Sequence, residues 1–137
     1  MSVQSSAYMA ASIAGMNRGT LLLAMYEGAL GFLRQATAAH ERDDLQRFSH
    51  FLRRGQDVLV ELQATIDPAP APELAARLER IYDFMLFQLS EANVHRDRNP
   101  VGDVIRLLAR TYDAFRQVIL HPTPEVQALL ANDGANG

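Results

Sequence analysis

Apolar residues recur at intervals of three and four along four long segments of the chain, which is the spacing of an amphipathic α-helix. The first segment covers residues 17 to about 40, with Asn17 as its N-cap. The stripe predicted to be buried consists of Leu22, Met25, Ala29, Phe32 and Ala36. A second stripe with the same spacing consists of Leu23, Tyr26, Leu30 and Leu33. A helix that is apolar over most of its circumference is predicted to be the central one.

The second predicted helix follows Asp43 and Asp44, acidic residues that are expected where a helix begins. Its apolar stripe is Leu45, Phe48, Leu52, Gly55, Leu59, Leu62 and Ile66. Gly55 lowers helix propensity, so its place in the stripe predicts that another backbone approaches closely there. The prolines of residues 67–72 cannot continue a helix, because proline lacks an amide donor.

The third and fourth helices are predicted over residues 73–96 and 100–120. The inward stripe of the third is Leu74, Leu78, Ile81, Met85, Leu89 and Ala92, with Tyr82, Leu86 and Phe87 extending it. Asn99 is the predicted N-cap of the fourth, whose stripe is Val101, Val104, Leu108, Phe115 and Val118. The predicted fold is all-α: an antiparallel four-helix bundle over residues 17–121. Residues 1–16 are a flexible candidate cap, and residues 122–137 a disordered tail with a candidate short helix.

Each predicted helix carries more apolar surface than the core of a four-helix bundle requires. Wide stripes can make a thick core, in which all of this surface is buried. Alternatively, part of it forms a groove for a partner helix, which would bind through anchors spaced three and four residues apart. The candidate groove residues are Tyr26, Phe51, Val58, Tyr82, Leu86, Ile105, Tyr112 and Ile119.

Composition removes several classes of function. The 137 residues include no cysteine, which excludes disulfides and thiolate chemistry. A formal net charge of −3 gives no general attraction to nucleic acid. No segment approaches the length of a membrane span, so we expect a cytoplasmic protein without membrane insertion.

The sequence offers little support for catalysis or for a metal or other cofactor. Glu91 and His95 lie one helical turn apart and could supply half of a metal site. A di-metal bundle also requires a matching Glu-x-x-His pair and further inward carboxylates, and none is found. Arg47, Arg53 and Arg54 form the only basic cluster, which is interpreted as a solvated helix face. We therefore predict neither an enzyme nor a bound cofactor.

One string of the first helix resembles a known family. Residues 21–33 read Leu-Leu-Leu-Ala-Met-Tyr-Glu-Gly-Ala-Leu-Gly-Phe-Leu, similar to the first-helix signature of the FliS family of flagellin export chaperones. Further matches follow in the family's order: Arg54-Gly55-Gln56, Ile81-Tyr82-Asp83-Phe84-Met85, Leu89, Glu91-Ala92-Asn93, Val104-Ile105 and Leu107-Leu108. Tyr8 stands where the family carries an N-terminal tyrosine. The resemblance covers about residues 8–119.

The resemblance implies a bundle on which the disordered C-terminal segment of flagellin folds into helices. Such a chaperone prevents premature polymerisation and keeps flagellin competent for flagellar type III secretion, and the export apparatus is a candidate second partner. Tyr8, Met9 and Ile13 are predicted to cover the groove in the free protein. The alternative is a generic helical adaptor, or a bundle that uses its extra apolar stripes to form a homodimer.

Overall fold

The computed structural model describes residues 18–121 and residue 124, and it consists of four α-helices joined by short connections. They are α1 (Arg18–Glu41), α2 (Leu45–Ala64), α3 (Pro72–His95) and α4 (Asn99–Leu120). Each helix packs against two neighbours in the order α1, α2, α3, α4 and back to α1. This ring confirms the predicted antiparallel four-helix bundle. The prediction that α1 is central is wrong, because no helix of a ring lies inside the other three.

Polar side chains fix the helix boundaries at the upper end of the bundle, where α1 and α3 end. Asp44 is the N-cap of α2, and its carboxylate accepts the backbone N–H of Arg47 at 3.1 Å. The helix α4 begins one residue earlier than predicted, with Asn99 as its first residue rather than its cap. The reason is that the Asp97 carboxylate accepts the N–H of Asn99 at 2.9 Å. The predicted cap Asn17 lies outside the described residues.

The lower end, where α1 and α3 begin, is closed by the connection from α2 to α3. The guanidinium of Arg18 donates a hydrogen bond to the carbonyl of Thr65 at 2.8 Å, which ties the start of α1 to the end of α2. The Asp67 carboxylate accepts the N–H of Ala69 at 3.0 Å within the proline-rich connection. Within the part of the chain that the structure describes, none of the helices combines the length and the apolar character needed to cross a membrane.

The buried face of α1 differs from the predicted one. The side chains that α1 buries are Leu23, Tyr26, Ala29, Leu30, Leu33, Ala36 and Ala39. Leu22, Met25 and Phe32, which the prediction placed in the core, are only partly buried. The prediction for these three residues is wrong because α1 carries two adjacent apolar stripes with the same spacing. The spacing alone therefore does not show which stripe faces the core.

The other helices bury much of their predicted stripes, and the largest departures lie at the lower end of α3 and α4. The residues confirmed as buried are Phe48, Leu52, Leu59 and Leu62 on α2, Met85, Leu89 and Ala92 on α3, and Val101, Val104 and Leu108 on α4. The prediction fails at the lower end of α3 and α4, where Leu74 is 56% exposed and Val118 is 46% exposed.

Gly55 marks a close approach, but by a side chain rather than by the predicted backbone. A Cβ atom at Gly55 would lie 2.7 Å from Cδ2 and 3.1 Å from Cγ of Leu33. Leu33 is fully buried, so it has little room to move away. By contrast, a Cβ atom at Gly28 would have no neighbouring atom within 4 Å.

These two glycines give a matched test of the α1–α2 packing. Gly55→Ala should lower the free energy of unfolding by about 1–2 kcal/mol, because overpacking against Leu33 outweighs the gain in helix propensity. Gly28→Ala should instead raise it by up to about 1 kcal/mol. Urea denaturation of the two variants measures both effects, and stabilisation by Gly55→Ala would contradict the packing described for Leu33.

Candidate functional site

An apolar groove separates α3 from α4 in the lower half of the bundle. Its volume is about 470 Å³, and its lining is Leu74, Leu78, Ile81, Arg110, Thr111, Ala114, Phe115 and Val118. The exposed side chains of Leu74 and Val118 form part of it. Arg110 is the one ionisable residue of this lining. The groove therefore offers a partner mainly apolar surface, with one positive charge.

A smaller cavity lies beside the groove and reaches towards the centre of the bundle. It has a volume of about 250 Å³ and shares Leu74, Leu78 and Phe115 with the groove. We call it the basal cavity. Pro70 and Ala71 of the connection from α2 to α3 contribute to its wall. Together, the residues that line the groove and the basal cavity come from all four helices.

A hydrogen bond between the hydroxyls of Tyr26 and Tyr82 joins α1 to α3 across the diagonal of the bundle. Both residues line the basal cavity, and they are only 1% and 3% exposed. Burial raises the pKa of Tyr26, and the neighbouring Tyr82 raises it further. Burial also raises the pKa of Tyr82. Both phenols therefore stay neutral in ordinary buffers and bring no charge to the cavity.

Two further aromatic rings from α4 pack against Tyr26. The ring centroids of Tyr26 and Phe115 are 5.7 Å apart, and those of Tyr26 and Tyr112 are 6.4 Å apart. The Tyr112 hydroxyl donates a hydrogen bond to Glu27 on α1 at 2.6 Å. This bond raises the pKa of Tyr112, because ionisation would place two negative charges side by side. The aromatic cluster thus fixes α4 against α1 next to the basal cavity.

The eight candidate groove residues do not form one surface in the structure. Tyr26 and Tyr82 belong to the core, where only the basal cavity reaches them. The remaining six are partly buried, and none of them lines the groove or the basal cavity: Phe51, Val58, Leu86, Ile105, Tyr112 and Ile119. Their role in binding stays a prediction. The candidate cap residues Tyr8, Met9 and Ile13 lie outside the described residues.

Ile119, one of the candidate groove residues, is used for packing inside the bundle. A Cβ atom at Gly19 would lie 3.0 Å from Cγ1 of Ile119, so this side chain packs directly on the backbone of α1. The groove is formed instead by residues that the sequence analysis assigned to the core, above all Leu74 and Val118. The available signal was their place in the first and last turns, where a core position is least protected.

The described residues provide little for catalysis at this site. Nowhere in that part of the chain do three histidine or acidic side chains come close enough to hold a metal ion. Glu91 and His95 contact each other at 3.2 Å on the exposed side of α3. The groove lining contains one cation and no carboxylate, so it supplies no acid–base pair. Its geometry suits binding of an apolar segment.

Comparison with known proteins gives a consistent result. The family described as flagellar protein FliS matches residues 1–122. The flagellar secretion chaperone FliS of Bacillus subtilis is 32% identical over 114 residues, covering 83% of this chain and 84% of that protein. The chaperone FliS of Campylobacter jejuni and the chaperone FliSB of Pseudomonas aeruginosa are each 29% identical over 98 residues. Those alignments cover 72% of this chain and 77% and 78% of the two relatives.

The two hydroxyls of the tyrosine pair should contribute to stability jointly rather than independently. Tyr82→Phe leaves the hydroxyl of Tyr26 buried without its partner, which should lower the free energy of unfolding by about 1–3 kcal/mol. Tyr26→Phe should act in the same way. The double variant should lose less than the sum of the single losses, as measured by urea denaturation in a double-mutant cycle. Additive losses would show that the hydroxyls do not depend on each other.

The same pair predicts a dependence of stability on alkaline pH. Because burial raises the pKa of both phenols above the ordinary value of 10.0, the unfolded chain releases these protons first as the pH rises. The contribution of the pair is therefore complete below about pH 10 and declines above it. Between about pH 9 and about pH 11, the free energy of unfolding measured with urea should fall less for Tyr26→Phe/Tyr82→Phe than for the protein with both tyrosines. Equal losses would contradict this assignment.

Proposed function

Because the chain belongs to the FliS family of flagellar proteins, we propose that it is a cytoplasmic flagellar secretion chaperone that binds the disordered C-terminal segment of flagellin. In this role it prevents premature polymerisation and keeps flagellin competent for type III export. The observation that carries the proposal is the apolar groove between α3 and α4, which is exposed at Leu74 and Val118.

The dimensions of the groove suit a short amphipathic helix. The α4 wall extends from Arg110 to Val118, a distance of about 12 Å at 1.5 Å per residue. This length accommodates about two helical turns of a partner, with apolar anchors at intervals of three and four residues. Arg110 can pair with an acidic side chain of that helix or with its C-terminal carbonyl groups. The basal cavity can accept one larger anchor between Leu74 and Phe115.

Binding of a disordered segment also suits the reversibility that export requires. The segment gains buried apolar area on the chaperone but loses conformational freedom, which typically costs about 2–5 kcal/mol of the gross interaction energy. The complex can therefore be specific and still dissociate when flagellin is transferred. This mechanism requires no catalytic residue and no bound cofactor in the chaperone.

One observation favours self-association as a second candidate function. The α3 helix exposes Phe84, Phe87 and Val94, whose exposed fractions are 50%, 61% and 73%. These side chains lie outside the groove and could serve a generic adaptor or a homodimer. Sedimentation of the free protein and of its flagellin complex distinguishes the two functions. A homodimer that stays intact and binds no flagellin would favour the alternative.

A charge introduced into the groove should affect binding more than folding. Val118 is already 46% exposed, so Val118→Glu should leave the melting temperature nearly unchanged. We expect it to weaken binding of flagellin at least about tenfold, or 1.4 kcal/mol, in titration calorimetry. Val60→Glu is the control, because Val60 is 52% exposed and lies outside both the groove and the basal cavity.

Flagellin lacking its C-terminal segment should show no binding in the same experiment. Undiminished binding of the truncated flagellin would contradict the proposed segment. An equal loss of affinity in the Val118 and Val60 variants would contradict the proposed groove.

A further inference from the structure

A second large cavity opens at the upper end of the bundle, between α2 and α3. Its volume is about 680 Å³, and its lining is Leu45, Gln46, Phe48, Ser49, His50, Arg53, Asn93 and Arg96. We call it the upper cavity. Every polar side chain of this lining can donate a hydrogen bond, and none is a carboxylate. The chemistry of the lining therefore favours an anion.

Two arginines of the upper cavity, one from α2 and one beside the end of α3, are unpaired within the part of the chain that the structure describes. Within residues 18–121, the guanidinium groups of Arg53 and Arg96 form neither a hydrogen bond nor an ion pair. Neighbouring arginines are engaged: Arg47 pairs with Asp44 at 3.5 Å, and Arg54 lies over the ring of Phe32 at 5.2 Å from its centroid. Among the described residues, the two unpaired guanidinium groups thus line one cavity whose lining contains no carboxylate.

The backbone of Arg96 adopts a conformation in which glycine would be more favourable than arginine. Arg96 follows the end of α3 with a φ of 51°, in the left-handed region where glycine or asparagine is preferred. Its N–H donates to the carbonyl of Ala92, and its own carbonyl lies 2.8 Å from Nε2 of His40. An arginine in place of a more favourable glycine indicates that its side chain has a use.

We propose that the upper cavity binds an acidic peptide segment of a partner protein. Arg53 and Arg96 would each pair with a carboxylate, and guanidinium groups are well suited to such bidentate contacts. Leu45, which is only partly buried, provides an apolar contact for a neighbouring side chain of the segment, which a free phosphate would leave unused.

The volume of the upper cavity supports a ligand larger than a single ion. It falls within the range of about 300–1,000 Å³ that is typical of sites for ligands larger than a simple ion. None of its residues belongs to the groove or the basal cavity at the lower half of the bundle. The acidic segment and flagellin would therefore occupy separate sites, and each can be tested without the other.

The proposal is tested with a fluorescein-labelled hexaglutamate peptide and the full-length protein, by fluorescence anisotropy at low ionic strength. Arg53→Gln/Arg96→Gln should weaken binding at least about tenfold, because it removes both paired charges. The control Arg80→Gln/Arg116→Gln removes two exposed charges outside the upper cavity and should change the affinity less than about twofold. The groove variant Val118→Glu should bind the peptide normally, which separates this site from flagellin binding.

A single substitution tests the argument from the backbone of Arg96. Arg96→Gly should weaken peptide binding at least about threefold while leaving the melting temperature unchanged or raising it, because glycine fits the left-handed conformation. A fall in the melting temperature would show that the side chain serves folding, and it would overturn the argument.

Three other results would overturn the proposal. The first is no peptide binding up to about 1 mM, a concentration at which even a weak specific site is occupied. The second is an equal loss of affinity in the control variant, which would indicate a diffuse electrostatic attraction. The third is displacement of the labelled peptide by inorganic pyrophosphate at lower concentrations than by unlabelled hexaglutamate, which would assign the cavity to phosphate groups.

Discussion

The close packing of α1 on α2 is the constraint on which the rest of the bundle depends. Gly55 on α2 keeps this interface thin, and Leu33 of α1 occupies the space above the glycine. The distance between packed helices follows the size of the side chains between them. As a result, α1 and α2 form the most extensive pairing of the bundle. The pairing of α3 with α4 is less extensive, and the apolar groove lies between these two helices.

Polar contacts stabilise this bundle, in which α1 and α2 pair more extensively than α3 and α4. The tyrosine pair joins α1 to α3 at the inner wall of the basal cavity, so the cavity is bounded by a fixed contact rather than by loosely packed side chains. The bond from Tyr112 to Glu27 anchors α4 to α1 nearby. A groove supported in this way can be open without leaving α4 free to separate from the other helices.

Much of the fold could be predicted from the sequence, because helix boundaries depend on local chemistry. Asp44 at the start of α2 and the prolines before α3 act within a few residues, and the prediction found both. The buried face of α1 could not be predicted in the same way. Its two apolar stripes are equivalent by period, and the choice between them depends on Gly55, which comes from another helix.

The candidate site was harder to predict than the fold for a related physical reason. A stripe of apolar residues does not reveal whether a neighbouring helix covers it. Ile119 was predicted to line the groove but packs on Gly19. Val118 was predicted to be buried but is exposed. Which of two adjacent apolar residues remains uncovered depends on where the neighbouring helices end. That is a property of the assembled bundle, and the spacing of apolar residues along one helix carries no information about it.

In the proline-rich connection between α2 and α3, the residues that shape the basal cavity are separate from the residues that hold the fold together. Pro70 and Ala71 line the basal cavity, yet both are exposed and neither belongs to the core. Changes in this connection can therefore reshape the entrance to the cavity at little risk to folding. In evolutionary terms, ligand preference in such a bundle can diverge through one short surface segment while selection keeps the four helices nearly constant.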